Sequence, residues 1–148
     1  MMRDEVFFFL ITAATAQWHD FEWLQKHLPK DAAFTIDDVT ESFSCQILSG
    51  PNSRAILEEV SDADLSKGWL THQSCQIAGR WCQLVRVSFA GELGCEIHTK
   101  IEDTAAIFDA VREAGQKQGL KPYGMEALDS LPSEKGCLAG RGDLSTAY

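Results

Sequence analysis

Residue type alternates from Trp81 to Phe89, breaks at Gly91 and Gly94, and resumes from Cys95 to Lys100; no other stretch constrains the fold of this chain as strongly. A two-residue period puts Gln83, Val85, Val87 and Phe89 on one face of a strand, and Glu96 and His98 together on a face of the next. Gly91 and Gly94 let the backbone take positive φ twice, which permits a plain strand connection or a loop folded over a bound ring. Glycine marks strand connections more often than ligand sites, so spacing alone favours a hairpin. Upstream, Cys75 to Ala78 forms a further strand joined to Trp81–Phe89 across Gly79-Arg80, and Cys95 to Lys100 returns as a third.

The rest of the chain supplies helices and further strands. The bulky run Phe7-Phe8-Phe9-Leu10-Ile11 predicts a buried strand over Val6 to Thr12, with Thr12 at its mouth. From Thr15, a candidate N-cap, Trp18, Phe21, Leu24 and Leu28 recur at helical spacing until Pro29, and the tryptophans are expected to pack as core. Phe34 and Ile36, then Phe43, Cys45 and Ile47, alternate as one interrupted or two short strands that end at Gly50-Pro51. A helix follows with Ile56, Leu57 and Val60 inward. Ser61 to Thr71 has loop composition, which Trp69 is expected to pin to the core. Ile101, Ala105, Phe108, Val111 and Gly115 trace an amphipathic helix ending near Gly119, and Met125 to Leu131 another, cut by Pro132. These elements predict an α+β fold: a mixed or antiparallel sheet built from two strand-helix units with a hairpin, helices packed on one face. At 148 residues the chain fits one domain, residues 1–148, able to bury roughly 68–70% of its unfolded surface.

Several functions are excluded by composition. A net charge of −9, from 22 acids against 13 bases, lacks the clustered cations that nucleic-acid binding needs. There is no glycine-rich nucleotide loop. The N-terminal run is too short and too acidic for a signal peptide or a membrane span, so no membrane partner is expected and a cytoplasmic location is. Cys45, Cys75, Cys82, Cys95 and Cys137 show no C-x-x-C spacing, and His19, His27, His72 and His98 no ligand cluster, so no metal site is expected. Asp37, Asp38, Glu41, Glu58 and Glu59 read as a solvated face.

The pattern aromatic-x-Gly-Glu-x-Gly-x-Glu-Ile over Phe89–Ile97 resembles the folate-binding turn of the glycine-cleavage T-protein (aminomethyltransferase) family and of the related folate domain in dimethylglycine and sarcosine dehydrogenases. Two further segments carry the resemblance, Val39–Arg54 with its Gly50-Pro51, and Gly124–Leu131 followed by Glu134-Lys135-Gly136. It runs from Phe7 to Leu144 and is closest to the dehydrogenase branch. The resemblance implies the central part of a longer folate-binding module with tetrahydrofolate as cofactor. It also implies one-carbon transfer from a lipoyl carrier protein or from formaldehyde made by a flavin-dependent dehydrogenase domain, and a mitochondrial matrix location in a eukaryote.

A pterin asks for a flat apolar surface and for a carboxylate that takes two parallel hydrogen bonds. By resemblance, Glu96 is the pterin-binding carboxylate, Phe89 the aromatic beside the ring, and Thr12 a polar residue near it. The family's catalytic aspartate belongs to a segment upstream of Phe7, and Pro132 stands where the family commonly has arginine. The expectation is therefore a folate-binding domain inactive alone, with no catalytic residue assigned. A non-catalytic assembly domain keeping the fold, or an inert fragment, stands as the alternative.

Overall fold

The computed structural model describes residues 2–3, 8–29 and 35–137. The chain divides into two compact units, Met1–Thr40 and Glu41–Tyr148.

In the first unit, strands β1 (Met2–Arg3) and β2 (Phe8–Phe9) pair antiparallel, and helix α1 spans Gln17–His27. Of the buried strand expected over Val6 to Thr12, the described part is strand only at Phe8–Phe9 and irregular from Leu10 to Thr12. Phe8 is 61% exposed, and the chain leaves the strand after Phe9, so Thr12 sits in an exposed irregular stretch before the helix. Asp4 to Phe7 and Phe34 lie outside the described residues. In α1 the predicted stripe holds for Phe21, Leu24 and Leu28, which are half-buried, but Trp18 is 72% exposed. The expectation that the tryptophans are core does not hold. Trp23 instead stacks on His27 one turn later, ring centroids 4.1 Å apart, and its carbonyl accepts from His27 Nδ1 at 2.7 Å. Downstream, Asp38 accepts hydrogen bonds from Gln17 Nε2, Thr40 Oγ1 and the Thr40 amide; these bonds, Thr40's first, hold its carboxyl below the usual carboxylate range.

The second unit carries the predicted sheet. Strands β3 (Phe43–Ser49), β4 (His72–Ile77), β5 (Arg80–Val85) and β6 (Gly94–Lys100) form an antiparallel sheet of order β3-β6-β5-β4. Helices α2 (Ser53–Val60), α3 (Thr104–Gln116) and α4 (Met125–Glu134) complete an α+β arrangement. Period-two alternation divides the sheet into two faces. Leu48, Cys75, Ile77, Cys82, Leu84, Cys95 and Ile97 point inward and form one cluster with Ile56 and Leu57 of α2 and Ile107 and Val111 of α3. The outer face carries Phe43, Cys45 and Ile47 from β3, His72 and Ser74 from β4, Trp81, Gln83 and Val85 from β5, and Glu96 and His98 from β6.

Three local expectations change, and the strand expected over Phe43 to Ile47 shows which way it faces. The α3 stripe is shifted by one helical position, because Ile107 is the fully buried residue whereas Ile101 and Phe108 are 55% and 45% exposed; only Val111 and Gly115 are shared. The alternating Phe43, Cys45 and Ile47 lie on the outer face, and the core contribution of β3 is Leu48. Trp69 is 56% exposed; Gln73 holds the 61–71 loop instead, accepting from the Asp64 amide at 3.0 Å while donating to its carbonyl at 2.9 Å. Helix α4 passes through Pro132 and ends at a left-handed cap, Gly136, where the Pro132 carbonyl accepts from the amides of Lys135 and Cys137. Pro132 has no N–H to give the Leu128 carbonyl, and the turn after it is closed by the bonds of the cap.

Candidate functional site

The loop from Arg86 to Leu93 joins β5 to β6 and is not a tight hairpin. Its base is fixed by Arg86, whose Nη1 donates to the Gly94 carbonyl at 2.5 Å and whose amide donates to Thr71 O at 2.8 Å. Ala90 is buried, and Gly91 takes φ 71° with Lys135 and Cys137 side-chain atoms 3.3–3.4 Å from where a Cβ would stand. The second glycine works differently from the sequence expectation. Gly94 does not adopt positive φ; it lies in β6, where a Cβ would sit 2.5 Å from Leu48 O and 3.1 Å from Ser49 Cα. It is needed so that β3 and β6 can approach.

The loop's two carboxylates have separate partners. Glu92 Oε1 pairs with Lys135 Nζ at 2.7 Å, which together with the charge of Glu92 raises the lysine's pKa. Glu96 lies on the outer face between Ile47 of β3 and Val85 of β5. Its Oε2 accepts from His98 Nε2 at 2.9 Å, so these two side chains share a face as their spacing requires. His98 is buried, while the Glu96 side chain keeps 25% of its surface exposed. Phe89 is 55% exposed in the loop beyond the end of β5, so its expected place on a strand with Gln83 and Val85 does not hold. Thr12 belongs to the first unit.

Sequence reasoning missed Cys45. It pairs directly with His98 across β3 and β6, and its Sγ lies 3.8 Å from His98 Nε2, although the two residues are 53 positions apart. Among the described residues, Cys45, Glu96 and His98 form the one cluster of metal-type donors, their ligand atoms all within 4.8 Å of one another. A search for ligands spaced along the chain cannot find such a group. The strand register that assembles it was signalled only by the alternation of β3 and β6. The residue as a whole is exposed, yet desolvation of the thiol, and then the Glu96 charge, push it up to about 12. With the imidazole Nε2–H committed to Glu96, nothing here takes the thiol proton, so the trio is not a nucleophile and base.

Further polar atoms on this face lack partners. Ser49 Oγ, His72 Nδ1 and Gln83 Oε1 are buried without a hydrogen bond among the described residues, all at outer-face positions. Gln83 Nε2 donates to Ser74 Oγ at 2.8 Å, and Oε1 is the end left without a partner among the described residues. Buried polar groups are ordinarily satisfied, so a row of orphans on one face is a sign of missing partners there. Among the described residues no helix is long and apolar enough to cross a membrane.

Sequence comparison agrees with this architecture. The model of the GCVT N-terminal domain matches residues 1–148. Human mitochondrial sarcosine dehydrogenase is 42% identical over 110 residues, which is 72% of this chain and 12% of that protein. Human mitochondrial dimethylglycine dehydrogenase is 30% identical over 132 residues, 86% of this chain and 15% of that protein. Aminomethyltransferase of Clostridium botulinum (strain Loch Maree / Type A3) is 32% identical over 133 residues, 88% of this chain and 36% of that protein. The chain thus spans between 12% and 36% of these relatives. With a match along its whole length, the chain belongs to the GCVT N-terminal domain family.

Proposed function

We propose that the outer face of the sheet is part of a tetrahydrofolate site serving one-carbon transfer. The observation that carries this reading is the Glu96 carboxylate, held on a strand by His98 through Oε2 while Oε1 has no partner among the described residues. A pterin edge presents parallel N–H donors, and a carboxylate positioned in this way can take them. Gln83 Oε1, already desolvated and unpaired among the described residues, adds an acceptor of the same chemistry on the same face. Phe89, exposed on the loop, offers a ring surface. When bound, the reduced folate supplies the nitrogen pair that accepts a one-carbon unit. The work of this chain is orientation: Glu96 fixes the ring edge, and His98 fixes Glu96.

The sarcosine and dimethylglycine dehydrogenases among the relatives support a flavin-dependent dehydrogenase domain as donor of the one-carbon unit, with a lipoyl carrier protein as the alternative. Their mitochondrial names also support a matrix location in a eukaryote.

Calorimetric titration with folinic acid, in the presence of EDTA, tests the reading. Micromolar binding is expected, weakened by about 1.5–3 kcal/mol in Glu96→Gln, which keeps the shape and removes the charge-assisted bond. Absence of binding to the parent, or equal binding to the variant, would refute a folate site centred on Glu96.

A further inference from the structure

We propose that Cys45, Glu96 and His98 form a three-ligand site for a zinc-class divalent cation on the outer face of the sheet, with the fourth coordination position open. The proposal shares Glu96 and His98 with the folate reading but does not require it, since it rests on the relation among three side chains and not on any pterin contact.

The backbone makes the group. Cys45 and His98 are cross-strand partners, and Glu96 is two residues from His98 on the same face, so all three donors project from adjacent strands of a sheet whose other face is packed core. Strands hold ligands with less scatter than loops do. The distances are close to what a tetrahedral ion needs. Metal arms of ordinary zinc length imply donor separations of about 3.6 Å for sulfur to nitrogen and about 3.4 Å for nitrogen to oxygen. Here Sγ to Nε2 is 3.8 Å and Oε2 to Nε2 is 2.9 Å, both near those values, and all three ligand atoms lie within 4.8 Å of one another.

The donor set also selects the ion. Thiolate with imidazole suits zinc and its neighbours, whereas magnesium and calcium ask for oxygen alone. Ile47 and Val85 flank Glu96 on either side and limit water there, while the partial exposure of Glu96 and Cys45 leaves an approach for the ion and for a fourth ligand. On binding, the Cys45 S–H bond breaks, a sulfur–metal bond forms and the proton goes to solvent. The imidazole Nε2 likewise gives up its proton, which it holds by passing to the other tautomer or releases if the ring was charged, and the His98–Glu96 hydrogen bond is replaced by two metal bonds. The cation charge compensates for deprotonating a thiol that resists ionisation by itself, and affinity therefore rises with pH.

The site is tested with cobalt(II) and zinc alone, using the full chain under reducing conditions and without folate. Titration with cobalt(II) is expected to give one thiolate-to-cobalt charge-transfer band that saturates at one ion per chain. The band disappears in Cys45→Ser, affinity falls at least tenfold in His98→Gln and Glu96→Gln, and Cys137→Ser changes neither. X-ray absorption of the zinc-loaded parent is expected to count one sulfur among the ligands, a result that does not depend on any variant folding. No band, a band that survives in Cys45→Ser, or a count of zero or two sulfurs would overturn the proposal. Two sulfurs would assign the ion to Cys75 and Cys82, whose Sγ atoms are 3.4 Å apart in the core.

Discussion

The two faces of the four-stranded sheet are built from the same strands, but their contents differ. The inner face is apolar and closed by α2 and α3, with Ile77, Cys82, Ile97 and Ile107 almost wholly removed from water. The outer face mixes apolar residues with a carboxylate, two histidines, amides and a thiol, and three of its polar atoms are buried without partners among the described residues. One face therefore accounts for stability and the other holds the candidate chemistry. The two are separated by a single residue along each strand, so selection can alter one with little disturbance to the other.

The largest expected effect breaks that division directly. Ile97→Ala, on the inner face, is expected to cost about 2–5 kcal/mol in urea unfolding, the usual loss for truncating a buried isoleucine. Its outer-face counterpart is Ile47, which sits beside Glu96 and is 36% exposed. Ile47→Ala should cost about 1 kcal/mol or less. Equal losses would mean that the outer face is covered in solution, and the contrast between the faces would fail.

Gly94→Ala is expected to come next, at about 1–3 kcal/mol. The new Cβ would meet backbone on the neighbouring strand, Leu48 O and Ser49 Cα, which cannot turn aside as a side chain can. Relief requires β3 to move from β6, and that movement separates Cys45 from His98. The variant should thus lose cobalt affinity as well as stability, whereas Ile97→Ala, measured well below its unfolding midpoint, should keep it. Loss of stability with unchanged metal binding would show that the register of β3 and β6 tolerates the strain.

Much of this was legible in the sequence, and what was missed has a physical pattern. The hairpin from β4 to β5, the return strand β6 and the helices after β3 and β6 were marked by period, glycine and proline. So was the shared face of Glu96 and His98, because it depends only on spacing within one strand. What alternation left open was which face is inside. Phe43, Cys45 and Ile47 alternate like core residues, yet the cluster is completed by Leu48, since helices α2 and α3 both cover the face that carries Ile97. The same ambiguity moved the α3 stripe from Ile101 and Phe108 to Ile107, and left Trp18 and Trp69 exposed. Alternation reports that a strand has two faces, and only the packing of other elements says which one is buried. Cys45 was missed for a related reason: its partners come from strand register, which no local window contains.

Register is also where the smallest expected effect lies. Strands β4 and β5 are joined by two residues, Ala78 and Gly79, because Ile77 pairs with Arg80. Both take positive φ, 50° and 73°, as the favoured two-residue hairpin turn requires. Gly79 adopts this conformation without strain, but Ala78 places a Cβ where left-handed backbone costs an ordinary residue about 1–2 kcal/mol. Asparagine tolerates the region better through its local hydrogen bonding. Ala78→Asn is therefore expected to raise stability by about 0.5–1 kcal/mol in urea unfolding, with the slope of the transition unchanged. The gain bears on the two faces because a slip of one residue in this hairpin would exchange Cys82 and Leu84 for Gln83 and Val85, turning amide into core. A tighter turn should sharpen the distinction, seen as slower amide exchange in β4 and β5. If Ala78→Asn instead lowered stability, the hairpin in solution would use a different turn, and the assignment of Gln83 to the outer face would fall with it.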